Sequence, residues 1–103
     1  MDARARHAQQ LTAIRQAVLD GDGVTSRARR ASAAAGERAD PPLESYLAKV
    51  RDASYRITDR DVAALKTAGV GEEEIFELTI ATALGAALRR FDAGMRAMGE
   101  GEP

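Results

Sequence analysis

Apolar residues recur at helical spacing in several stretches of the chain, with glycine, proline or charge between them. The longest stretch is 71–98, GEEEIFELTIATALGAALRRFDAGMRAM. Residues 72–98 predict one long helix, roughly 40 Å at ~1.5 Å rise per residue. At ~100° per residue, Phe76, Ile80, Leu84, Ala87, Leu88, Phe91 and Met95 fall in one broad stripe, the expected buried face. Gly71 can serve as N-cap, and Glu72, Glu73 and Glu74 occupy the first turn, where the positive end of a helix favours anions. Arg89, Arg90 and Arg96 lie in the later turns, where cations are preferred. No charge falls between Leu78 and Leu88, so the middle of this helix is expected to be covered on most sides.

Upstream, Leu11, Ile14, Val18 and Leu19 predict a first helix over residues 1–20, stopped by Gly21-Asp22-Gly23. Its apolar stripe is thin, so it needs a neighbour to lie against. Residues 24–35 hold Arg27, Arg29 and Arg30 before an alanine-rich run, which reads as a short helix or a partly ordered arm with its arginines in solvent. Residues 36–42 form a linker whose Pro41-Pro42 opens a helix at Leu43. Leu43, Tyr46, Leu47, Val50 and Ala53 carry that helix to about residue 54. Thr58 as N-cap with Asp61 three residues on resembles a capping box; Val62, Ala63, Leu65 and Ala68 continue the next helix, and Gly69 ends it in the left-handed conformation. The tail 99–103 is expected to fray. With no strand pattern and no repeat, the chain reads as all-α: a compact helical bundle, one domain overall, with an N-terminal helical arm (1–40) and a helical core (41–103).

Composition narrows the chemistry. Of 103 residues, 45% are apolar but only 4% aromatic, which suits helices packed closely through small side chains. A net charge of −1 gives no overall attraction to nucleic acid or an anionic membrane. The absence of cysteine excludes thiol redox catalysis, disulfides and Cys-ligated zinc, and the single histidine, His7, leaves no intrachain two-histidine metal site. Neither metal nor cofactor is expected. The early arginines precede no apolar signal core, and nothing approaches ~18 consecutive apolar residues, so a soluble cytoplasmic protein is the expectation.

The stretch 62–78, VAALKTAGVGEEEIFEL, superficially matches a DNA-binding helix-turn-helix. Its second helix would bring Glu72, Glu73 and Glu74 to the phosphates, which repels rather than releases counterions. The remaining route to nucleic acid is the Arg27, Arg29 and Arg30 cluster, and no nucleic-acid partner is expected.

Residues 57–94, ITDRDVAALKTAGVGEEEIFELTIATALGAALRRFDAG, resemble the distal half of the alkylhydroperoxidase AhpD-like, or carboxymuconolactone decarboxylase-like, helical family. With LESYLAKVRDASYR before them, the resemblance covers residues 43–98. It implies an all-α fold that forms trimers or hexamers. The redox members act through a Cys-x-x-Cys pair with a following histidine, and no position here can supply that chemistry.

Glu77 falls at the same helical angle as Met95, inside the apolar stripe. A carboxylate there acts as a general base or substrate-anchoring acid, or is satisfied by an arginine or by the helix dipole. Arg89 and Arg90 are candidates to bind a small carboxylate ligand; the structural alternative is an ion pair with Glu74, Glu77 or Asp92. Tyr55 is a further candidate ligand contact, and Tyr46 and Tyr55 both suit a core with the hydroxyl at its rim. Gly85, among Ala81, Thr82, Ala86 and Ala87, predicts a close helix crossing within the subunit or across a symmetry axis. Two functions fit these residues. One is a non-redox AhpD-like oligomeric binding or scaffold module. The other is a small acid–base enzyme of decarboxylase or isomerase type, with Glu77 as base and an arginine anchor.

Overall fold

The computed structural model describes residues 2–99, apart from the side chain of Arg4. The end of the tail expected to fray, 100–103, lies outside the described residues. Five α-helices follow one another: α1 (Ala3–Asp20), α2 (Arg27–Ala34), α3 (Leu43–Asp52), α4 (Asp59–Thr67) and α5 (Glu72–Ala97), with a 3₁₀ turn at Ser54–Arg56 between α3 and α4. There is no strand among the described residues. Every other helix packs against α5, which is the axis of the fold.

Local chemistry sets the helix ends. Asp2 accepts the Ala5 amide at 2.8 Å to start α1, and Ser26 accepts the Arg29 amide at 3.1 Å to start α2. At α4, Asp61 reaches back to the Thr58 amide at 2.8 Å and is itself clamped by Lys49 at 2.8 Å. That lysine, then the Thr58 amide, holds the Asp61 carboxyl below its ordinary range. Gly36 and Gly69 both adopt positive φ, 77° and 94°, just past α2 and α4. After each, the next amide returns to a carbonyl five residues back, Glu37 to Ser32 and Val70 to Leu65, so both helices end in Schellman turns that only glycine enters without strain.

The core is aliphatic: Leu43, Leu47 and Val50 from α3, Leu65 from α4, Ile75, Leu78 and Ala81 from α5, and Ala33 from α2. Burial of each large side chain contributes about 1.5–3 kcal/mol. Tyr46 is also buried, its hydroxyl 2.7 Å from Thr79 Oγ1. Thr79 donates its own proton to the Ile75 carbonyl at 2.6 Å, which leaves Tyr46 as the donor to Thr79.

The buried face of α5 is not the stripe expected from the sequence. Ile75, Leu78, Ala81, Thr82, Gly85 and Ala86 face the core, an arc roughly 150° from the expected one at ~100° per residue. Phe76 and Phe91 are 58% and 47% exposed, and Ile80, Leu84, Leu88 and Met95 are only half-buried. Both arcs are apolar at mid-helix; α2 and α3 pack on the observed one, where Gly85 and the small Ala81 and Ala86 let a neighbouring backbone come close.

Residues 24–35 are also more integrated than a loose arm. Helix α2 lies along α5, with Ala33 and Arg30 buried. The two backbones meet at Gly85, where a Cβ would stand 1.8 Å from the Ala34 carbonyl oxygen. The close crossing anticipated at Gly85 is therefore made within the subunit.

The molecule is long for its size. It measures 52 × 28 × 20 Å, and its radius of gyration of 15.5 Å exceeds the roughly 13 Å of a compact domain of this length. Most of α1 and the distal turns of α5 are exposed, and they line a shared groove. No described helix is long and apolar enough to cross a membrane.

Candidate functional site

Glu77 sits one turn into α5, facing the 21–26 loop that joins α1 to α2. Its Oε2 accepts the Val24 amide at 2.9 Å; its Oε1 accepts the Thr25 amide at 2.9 Å and the Thr25 hydroxyl at 2.5 Å. Gly23 lies so close that a Cβ there would come within 2.6–2.8 Å of the carboxylate. The Thr25 hydroxyl and amide, followed by the Val24 amide and the charge of Arg30, hold Glu77 down to about 2. A general base working near neutrality needs a shift in the opposite direction. A cavity of about 270 Å³ does open beside Glu77, lined by Arg30, Asp22, Glu73 and Phe76 among others. Both carboxylate oxygens are nonetheless already engaged by the loop. The geometry makes Glu77 the clamp that fixes the start of α2.

Arg89 and Arg90 take backbone carbonyls as partners rather than the carboxylates considered from the sequence. Arg89 Nη1 donates to the Ala34 carbonyl at the end of α2, and Arg90 Nη2 donates to the Arg51 carbonyl in the last turn of α3. Arg30, only 4% exposed, donates Nη1 to the Val18 carbonyl near the end of α1 at 2.9 Å. Three helices are thus capped at their negative ends by arginines from another element. Two of them, α1 and α2, have no basic residue in their own last turn. Glu74 pairs with Arg29 of α2 at 2.7 Å, so the Arg27–Arg29–Arg30 cluster is only partly a solvated one. Arg30 was not legible as a structural residue: it follows two exposed arginines and looks like them. Its spacing of three from Ala33, the other buried residue of α2, was the available signal.

Tyr55 stands 86% exposed on the 3₁₀ turn and lines neither the Glu77 cavity nor the groove between α1 and α5. Glu77 and Arg89 are twelve residues apart on one helix, about 18 Å at 1.5 Å per residue. Arg89 lines a different cavity, with Gly85, Ala31 and Asp92. The candidate residues are accordingly dispersed around α5 rather than gathered at one site.

The groove lies between the middle turns of α1 and the distal turns of α5. It has a volume of about 630 Å³; Leu11, Leu88, Phe91 and Met95 form its apolar floor, and His7, Arg15 and Asp92 stand among them. Comparison with known proteins returns no matching family model, no matching curated protein and no matching solved structure. The fold and surface define an all-helical protein with an open interhelical groove.

Proposed function

We propose that this chain is a non-redox helical module that works by association: it assembles with itself and serves as a binding or scaffold unit, in the AhpD-like manner its distal half resembles. The groove between α1 and α5 is the observation that carries the reading, because it leaves the apolar side chains of two helices half covered. The engagement of Glu77, Arg30, Arg89 and Arg90 in holding helix ends supports it further, since those are the groups from which a reaction centre would be built. The absence of cysteine excludes the thiol peroxidase chemistry of the redox members.

The acid–base alternative draws on the cavity beside Glu77. It is the weaker reading: the Glu77 carboxylate is held at about 2, and the arginines proposed as anchors lie about three turns and more away along α5. Light scattering across a dilution series tests the proposal. A mass that is a multiple of the 11.0 kDa chain is expected, in wild type and Glu77→Gln alike. A monomer at every concentration would refute it.

A further inference from the structure

Resting on that reading, we infer that the occupant of the α1/α5 groove is the same groove of a second copy of this chain, placed by two-fold symmetry so that the two helix pairs close into a four-helix layer.

Area makes the first argument. The chain exposes 7034 Å², whereas a compact monomer of 11.0 kDa exposes roughly 5,600 Å². The excess is about 1,400 Å², and a stable two-fold interface needs about 800 Å² from each partner. That surplus, spread over an elongated molecule, is large enough to include the share one partner of such an interface buries.

Architecture makes the second. Two helices side by side cannot enclose a core; two such pairs stacked face to face can. The α1 residues 3–10 are all exposed apart from the undescribed Arg4 side chain, and from Leu88 onward α5 turns only Leu88 and Met95 partly inward. Phe91, at 47% exposed, is the large aromatic of the shared floor and the natural anchor.

Charge makes the third. A groove built to receive a different, strongly charged partner would carry one sign; this one carries Arg15 on α1 and Asp92 on α5. Under a two-fold axis parallel to the groove, α1 of each subunit faces α5 of the other, so the cationic side of one rim meets the anionic side of its mate. The arrangement yields even-numbered assemblies, dimers or hexamers, rather than a simple three-fold ring.

Sedimentation equilibrium on the full chain, with circular dichroism to verify folding, tests this. An even multiple of the chain mass is expected. Leu88→Asp and Phe91→Asp should each weaken association by about tenfold or more, and Phe76→Asp, an exposed phenylalanine of the same helix outside the groove, should not. Arg15→Asp and Asp92→Arg should each weaken association, and the double exchange should restore it. An oligomer whose mass survives both groove substitutions, or a trimer, overturns the two-fold groove while leaving the association reading intact. A folded wild-type monomer at every concentration overturns both.

Discussion

At Gly85 the chain sacrifices helix propensity for contact, and the size of that exchange can be worked out. In an open helix interior, Gly→Ala stabilises by up to about 1 kcal/mol. At Gly85 the new methyl would sit 1.8 Å from the Ala34 oxygen, 2.5 Å from its carbonyl carbon and 2.6 Å from its Cα. These are backbone atoms and cannot swing aside as a side-chain tip can. Helix α2 must retreat by more than about 1.5 Å to reach ordinary contact at 3.4 Å or beyond. That movement pulls Ala33 from the core and disturbs the bond from Arg89 to Ala34. Overpacking of this kind costs about 1–3 kcal/mol, and the loss of the buried methyl of Ala33 adds about 0.8 kcal/mol. Against the propensity gain, Gly85→Ala should destabilise by about 2 kcal/mol, a fall in Tm of roughly 8–16 °C for a domain of this size. Gly94 provides the control. It lies in the same helix, and a methyl added there would have nothing within 4 Å, so Gly94→Ala should raise Tm by a few degrees. Both melts are read by circular dichroism at one protein concentration, because association would shift Tm. If the two variants move Tm in the same direction, the α2–α5 crossing is not where the structure puts it.

Other substitutions probe the remaining ties. Because Glu77 is depressed from 4.5 to about 2 in the fold, its contribution is complete above the ordinary carboxyl range and fades as pH falls toward about 2. In urea titrations, wild type should therefore lose more stability than Glu77→Gln over that interval. Glu44 and Asp61, also depressed, titrate in both proteins and cancel, so equal losses would count against the loop clamp. Arg89→Ala should lower stability by about 1 kcal/mol and speed amide exchange in the last turn of α2; unchanged exchange there would show that the cap contributes nothing. Tyr46→Phe should cost about 1 kcal/mol in chemical denaturation by ending the relay through Thr79 to Ile75, and a neutral result would mean that water replaces it.

Helix identity was written locally and could be read from the chain. Asp61 reaching back to Thr58, Gly69 beyond α4 and the three glutamates opening α5 act within a turn of their own positions, so neighbouring residues suffice to place them. The all-α class and the 72–97 rod follow from those signals and from the apolar spacing. Which side of the rod faces inward did not. Helix α5 is apolar over two opposed arcs, and the angle of each side chain says nothing about which arc the other helices will cover. Glu77 was a local warning, a carboxylate within the favoured stripe, and it became intelligible only when the loop before α2 arrived beside it with Val24 and Thr25. The destinations of Arg30, Arg89 and Arg90 were hidden for the same reason. Each caps a helix end 12 to 55 residues away in the chain, and a bond of that range exists only once packing has brought the two ends together.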